Sequence, residues 1–327
     1  RPPYAGTDKP IYRAGDLKRD LLPNLSPVAS TPDWEMINRF YERPWLDHID
    51  NWLSQHTAPG LNQPNYGREF SRLTSIAALM LLLDAPKEEK EKLLISYVQL
   101  GIDLHGLAAN GRQWFSDGGH WQGRKWPILF ASLMLDDEAL RTFPEIDLKR
   151  PVYAYVTVDS STADPKPTTV FQEDLDTYYG KGGDGQSVLF QLVYHTGPKF
   201  PHEETPFEEY DKGGKFLNGY LQNNSFTWSG AALAALLLKA KATWNHDAYF
   251  DYVDRWMGDT NRESRGKPHW LPRNCSRTVD LFLEEMWDTY RTEVPEQPGG
   301  ATNLKWVWNN DKRSGHFEDT PPPSENP

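Results

Sequence analysis

Two adjacent side-chain amides, Asn223 and Asn224, stand directly before an apolar run that extends from Ser229 to Leu238. The change from polar to apolar residues predicts that a buried helix begins here. The N-terminus of a helix has free backbone N–H groups and a partial positive charge, so it can receive an anion. The simpler alternative is that Asn224 or Ser225 only caps the helix.

A second cluster of chemically capable residues lies in the sequence Gly-Gly-His-Trp-Gln-Gly-Arg-Lys-Trp, residues 118–126. The two glycines let the backbone approach a ligand closely. Aromatic faces stack on sugar rings, and arginine binds a carboxylate through two parallel hydrogen bonds. The alternative is a surface turn with a solvated basic cluster, although tryptophan is an unusual residue for such a turn. The candidate residues are His120, Trp121, Arg124 and Lys125.

Further candidates lie outside these two clusters. Tyr66 and Arg68 open another segment of similar composition, directly after Asn65. His195 lies in a loop-like stretch, where a histidine is either structural or a base that titrates near neutral pH. Tyr179 precedes a glycine-rich stretch and is either a packing residue or a catalytic phenol.

Three segments of similar design position these residues. Residues 66–83, 120–135 and 223–238 each begin with polar and aromatic residues and continue as a run that is apolar nearly all round. A helix with that pattern is buried on every side. Amphipathic helices are predicted at 87–107, after the first segment, and at 246–257, after the third.

The first and third segments also align with each other, Ser-Ile-Ala-Ala-Leu at residue 75 with Ser-Gly-Ala-Ala-Leu at residue 229. This suggests an internal repeat of one buried and one half-exposed helix. We therefore predict a mainly α fold, an (α/α) toroid or incomplete barrel of inner and outer helices, with a helical bundle as the alternative. In a toroid the starts of the inner helices converge on one mouth, so the candidate residues would line one cleft.

The remaining sequence sets the expected boundaries. Residues 1–32 are predicted to form an extended arm, and residues 33–317 a single toroid catalytic domain. Residues 144–215 would be a β-containing insertion or lid, with a strand at 151–158 and a short helix at 186–194. We expect a last helix at 278–292 and a disordered tail at 318–327.

Composition excludes several classes of protein. The 327-residue chain carries a net charge of -11, which argues against a nucleic-acid partner. It has no apolar run of 18 residues, so no membrane span is expected. A single cysteine, Cys275, excludes an intrachain disulfide and a cysteine-based zinc site. We expect a periplasmic or secreted protein whose signal peptide has been removed.

The stretch Asn-Asn-Ser-Phe-Thr-Trp at 223–228 resembles the Asn-Asn-His-Ser-Tyr-Trp signature of α/α-barrel alginate lyases. The paired-helix pattern, together with Gly-Gly-His-Trp-Gln-Gly-Arg-Lys-Trp-Pro, is similar to (α/α)-toroid polysaccharide lyases, in particular the alginate and glucuronan lyases of polysaccharide lyase family 38. The signature spans only these few residues, and the broader likeness covers 33–143 and 215–292. Ser225 stands where the signature has histidine, so the base must come from elsewhere.

The resemblance implies an enzyme that cleaves 4-linked uronate polymers by β-elimination. Asn224, with Asn223 and Arg124, would neutralise the substrate carboxylate, and His120 or His195 would be the base. Tyr179 would be the acid, or the base in a mechanism that uses only tyrosine. Substrate-binding residues would be Tyr66, Arg68, Trp121 and Lys125. Such chemistry needs no metal and no organic cofactor, and we expect a monomer acting on an anionic polysaccharide.

Two other functions fit the same residues. A glycoside hydrolase on the same toroid would use two carboxylates, one to protonate the leaving group and one to activate water or attack. The insertion offers four candidates for this, which are Glu173, Asp174, Asp176 and Asp184. A non-catalytic sugar-binding protein with the same aromatic cleft is the second alternative.

Overall fold

The computed structural model describes nine parts of the chain: residues 11–45, 66–144, 157–158, 168–183, 185–192, 203–205, 217–258, 277–309 and 314–323. Its helices are α1 (Trp34–Tyr41), α2 (Gly67–Met80), α3 (Lys87–Ala109), α4 (Lys125–Leu135), α5 (Gln172–Leu175), α6 (Leu217–Leu237), α7 (Lys241–Trp244), α8 (Asp247–Gly258) and α9 (Arg277–Tyr290). Its strands are β1 (Thr157–Val158), β2 (Thr177–Tyr179), β3 (Val188–Phe190), β4 (Leu304–Asn309) and β5 (Ser314–Asp319). The prediction of a mainly helical fold is confirmed.

The centre of the fold is the contact between α2 and α6. Every residue of α2 except Arg68 is buried. A Cβ atom added to Gly230 of α6 would lie 2.7 Å from the Cβ atom of Ser75, whose hydroxyl donates to the carbonyl oxygen of Thr227 at 2.6 Å. The two stretches that align in sequence therefore touch each other, and their small residues let the two helix backbones approach closely.

The other helices surround this pair. α4 is buried along most of its length and packs on α3, where a Cβ atom at Gly101 would come within 2.0 Å of the carbonyl oxygen of Pro127. The helix α8 buries one face against α6, where the hydroxyl of Tyr249 donates to the carbonyl oxygen of Trp228 at 3.0 Å. The helices predicted at 87–107, 246–257 and 278–292 are confirmed as α3, α8 and α9, with ends that differ by one or two residues.

The described part of the N-terminal arm lies against the C-terminal ends of α4 and α2. It contains two short 3-10 turns, Ala14–Asp16 and Arg19–Leu21. The N–H of Lys18 donates to the carbonyl oxygen of Met134 near the end of α4, and the N–H of Leu25 donates to that of Leu82 just beyond α2. Among the described residues, no helix is long and apolar enough to cross a membrane.

The β structure differs from expectation in two places. The helix predicted at 186–194 is wrong, because β3 lies there and pairs antiparallel with β2. A short apolar run cannot be assigned to helix or strand from its pattern alone. The predicted disordered tail begins inside β5, which pairs with β4 and β1 in a three-stranded sheet of order β1-β5-β4. Of the strand predicted at 151–158, β1 is present and residues 151–156 lie outside the described part of the chain.

Candidate functional site

Four polar side chains from three distant parts of the chain meet at one place, which we call the surface cluster: Tyr66, Arg68, His120 and Asn223. A Cβ atom on Gly67 would lie 1.9 Å from the carbonyl oxygen of His120, so the loop before α4 rests directly on the first turn of α2. A Cβ atom on Gly119 would collide with the side chains of Asn223 and Tyr66 at 2.4 and 2.6 Å. The two glycines therefore allow the cluster to form.

The members of the surface cluster contact one another directly. Arg68 Nη1 donates to Asn223 Oδ1 at 2.6 Å, and Asn223 Nδ2 donates to the phenolic oxygen of Tyr66 at 3.1 Å. The rings of Tyr66 and His120 meet edge to face, with centroids 5.1 Å apart. Tyr66, Arg68 and His120 are half-buried, so a ligand from solvent can reach them.

The cluster is flanked by a second arginine. The carboxylate of Glu69 accepts from Arg68 Nε at 2.6 Å and from Arg72 Nη1 at 2.5 Å. The Arg72 guanidinium also lies 4.9 Å from the ring centroid of the half-buried Phe226. Two guanidinium groups share one carboxylate, so these three side chains carry one net positive charge on a chain that is acidic as a whole. That charge favours an anionic ligand.

A buried polar network lies beneath the surface cluster, and Asn224 belongs to it. The prediction that a helix begins at the asparagine pair is wrong, because α6 begins at Leu217 and the pair lies in its second turn. Asn224 is 0% exposed. Its Nδ2 donates to the carbonyl oxygen of Gly118 at 3.0 Å and to Asp176 Oδ2 at 3.3 Å, and its Oδ1 accepts from Gln122 Nε2 at 2.9 Å. Its amide is therefore engaged within the protein.

Two residues of the second sequence cluster, Trp121 and Arg124, are also buried. Arg124 donates to the carbonyl oxygens of Gln122 and His120, and its guanidinium lies 3.7 Å from the ring centroid of Phe70. Trp121 is 3% exposed, and the guanidinium of Arg112 lies 4.7 Å from its ring centroid. These side chains support the loop rather than face solvent.

The remaining predicted residues lie elsewhere. Lys125 is buried, and its ammonium group pairs with Asp174 at 2.5 Å. The hydroxyl of Tyr179 donates to Asp251 of α8, and burial, followed by that carboxylate, raises the pKa of this phenol above its usual value. His195, with Asn65 and Asp184, lies outside the described residues. The structure thus brings together seven of the ten predicted residues around one loop: Tyr66, Arg68, His120, Trp121, Arg124, Asn223 and Asn224.

Sequence reasoning missed several residues of this region. Glu69 and Arg72 were not selected, although their spacing places them on one face of a helix and they pair there. Gln172 and Ser116 were also missed, and both donate to Asp176, a residue considered only as a hydrolase carboxylate. Burial raises the pKa of the Asp176 carboxyl well above its usual range. No local pattern links Ser116 to Asp176, because 60 residues separate them in the sequence.

Glu173 makes folding stability depend on pH. Its carboxylate lies at the start of α4, 3.3 Å from the N–H of Gly123. Burial, followed by the neighbouring Asp174, raises the pKa of Glu173 to about 7. The folded protein therefore holds this proton more tightly than the unfolded chain does. The contribution to the free energy of unfolding is complete below about pH 4 and is lost as the pH rises to about 7.

We expect Glu173→Gln to be more stable than the wild type above pH 7, by on the order of 3 kcal/mol, and to lose this advantage as the pH falls toward 4. Urea unfolding at several pH values between 4 and 8 measures the difference. Glu293→Gln, at an exposed position, is the control and should follow the wild-type curve. Parallel curves for wild type and Glu173→Gln would show that the proton is not held by Glu173.

Comparison of the chain with protein-family models, with curated proteins and with solved structures found no match. Among the described residues, no group of three or more His, Cys, Asp or Glu side chains is placed to hold a metal ion. The chemistry of the site is therefore argued from its own geometry.

Proposed function

We propose that the chain is a lyase that cleaves 4-linked uronate polymers, such as alginate or glucuronan, by β-elimination. The observation that carries the proposal is the contact of a phenol, an imidazole, an amide and a guanidinium in the half-buried surface cluster. These are the groups that elimination next to a carboxylate needs. The alternation of buried and amphipathic helices is what an (α/α) toroid would use, and that arrangement is part of the proposal.

The geometry favours a division of roles that differs from the one expected from sequence. Arg68 is half-buried, and Asn223, although only 7% exposed, bonds to Arg68 and to the half-buried Tyr66. These two residues therefore replace Asn224 and Arg124 as the groups that neutralise the substrate carboxylate. Neutralisation lowers the energy of the enolate-like state that forms when the proton on C5 is removed. Tyr66 replaces Tyr179, because an amide N–H donates to its oxygen and the Arg68 guanidinium lies 5.3 Å from its ring centroid, and both favour negative charge on the phenol.

Proton transfer then falls to Tyr66 and His120. One of them removes the C5 proton, and the electron pair passes into the enolate-like state. The C4–O4 bond breaks, a C4–C5 double bond forms, and the other group returns a proton to O4. Every proton and electron pair is accounted for by the substrate and these two side chains.

The hydrolase alternative receives less support from the site. A retaining or inverting mechanism needs two carboxyl groups that face the sugar. Glu173, Asp174 and Asp176 are all buried and bonded to protein groups. By contrast, the surface cluster presents cationic and amide groups, which suit an anionic sugar.

An absorbance assay tests the proposal. We expect alginate or glucuronan incubated with the protein to gain ultraviolet absorbance from the C4–C5 double bond, at a rate on the order of one turnover per second or faster. Hydrolysis would produce new reducing ends without this absorbance, and a binding protein would produce neither. Absence of the signal on alginate, glucuronan and other uronate polymers would reject the lyase.

A further inference from the structure

The side-chain amides of Asn224 and Gln172 are both buried, and both donate hydrogen bonds to the same backbone carbonyl group and the same carboxylate. Asn224 Nδ2 donates to the carbonyl oxygen of Gly118 at 3.0 Å and to Asp176 Oδ2 at 3.3 Å. Gln172 Nε2 donates to those same two atoms, at 2.5 and 2.9 Å. Each amide therefore donates both of its hydrogens to the same two acceptors, the Gly118 carbonyl oxygen and Asp176 Oδ2.

The carbonyl oxygens of these two amides also accept hydrogen bonds, and the one of Gln172 accepts from the backbone of the same loop. Gln172 Oε1 accepts from the N–H of Trp121 at 2.8 Å, while Asn224 Oδ1 accepts from Gln122 Nε2 at 2.9 Å. The hydroxyl of Ser116 donates to the other oxygen of Asp176. The backbone is thus fixed at Gly118, before His120, and at Trp121, after it.

We propose that Asn224 and Gln172 are positioning residues for His120, which tie the segment 118–121 to Asp176 so that the imidazole faces the Tyr66 phenol. Proton transfer is sensitive to displacements of about an ångström, so a fixed imidazole matters for rate. The functional meaning of this orientation rests on the proposed lyase activity. The orientation itself is a property of the fold and can be measured without that activity.

The purely structural alternative is that the amides only satisfy buried polar groups. Asn224→Asp separates the two, because the side chain keeps its size but loses both N–H donors. An acceptor would then face the acceptors at Gly118 and Asp176, and the loop would have to move. Ser225→Ala is the matched control: the next residue on α6 is equally buried and loses a hydrogen bond to Tyr252, but its bond does not involve the loop.

Two measurements decide the question. For Asn224→Asp we expect kcat on alginate or glucuronan to fall by about 10- to 100-fold. KM should change by less than about threefold, because the lost contact acts on proton transfer and not on substrate binding. Nuclear Overhauser contacts between the His120 and Tyr66 rings should weaken or vanish in the free protein. Ser225→Ala should keep both the ring contact and kcat.

If Asn224→Asp does not fold, Gln172→Met carries the test, since it removes one of the two amides and leaves the other. An unchanged contact between the rings of His120 and Tyr66 in the folded variants would overturn the proposal, as would an equal loss of kcat in Ser225→Ala. A wild-type protein without lyase activity would reject the proposed function alone, and the ring contact would still decide whether the amides position His120.

Discussion

Tyr66→Phe is expected to lower kcat for β-elimination by at least about 100-fold, because it removes the hydroxyl proposed to transfer a proton in the surface cluster. Loss of its hydrogen bond with Asn223 should change the free energy of unfolding by only about 1 kcal/mol. The increase in ultraviolet absorbance on a uronate polymer measures the rate, and urea unfolding measures the stability.

Tyr179→Phe is the matched control for this substitution. It also removes one phenolic hydroxyl, but from a side chain that donates to Asp251 on α8. We expect it to retain most of the rate. A larger loss in Tyr179→Phe than in Tyr66→Phe would return the acid–base role to Tyr179 and contradict the assignment made from the geometry.

Lys125→Met is expected to have the largest effect on stability, with a loss of about 3–5 kcal/mol in the free energy of unfolding. The ammonium group of Lys125 is the buried partner of Asp174, which is 7% exposed. Methionine fills a similar volume but leaves this carboxylate buried without a counter-ion. Urea denaturation at pH 8 gives the difference.

Two comparisons show whether the loss comes from the unpaired charge. The double variant Lys125→Met/Asp174→Asn should recover a large part of the stability, because no buried charge is left alone. Lys92→Met, which breaks an exposed pair with Glu88, should cost far less, because solvent screens that pair. Equal costs for Lys125→Met and Lys92→Met would show that the Lys125–Asp174 pair is not desolvated.

The helices could be predicted from sequence because each has a strong local pattern. The apolar run of α2, with small residues at Ser75 and Ala77, indicates a helix buried on all sides, and the structure places it at the centre. The two β-hairpins were harder to predict from sequence, because their strands are short and are stabilised by pairing with each other rather than by a local pattern. Phe317 of β5 shows this, since its side chain is buried beside Trp306 of β4.

The site could be predicted only in part. The meeting of Tyr66, His120 and Asn223 was expected from similar helix starts. The position of Asn224 was not, because asparagine is a weak helix former and the change from polar to apolar residues predicted a helix that begins at the asparagine pair. Its hydrogen bonds to Gly118 and Asp176 outweigh that preference, and they cross intervals of sequence that no local pattern reveals.

The close contact of Ser75 with Gly230 has a consequence for how the chain is made. These residues lie 155 positions apart, so α2 remains without its main partner while the ribosome synthesises the whole middle of the protein. A nascent chain that ends before α6 exposes the apolar C-terminal part of α2, Ile76 to Met80. Such a surface is protected by chaperones and aggregates without them. The chain must also close a loop of that length to form the central contact. Folding is therefore expected to be slower than that of a helical protein whose contacts are all local.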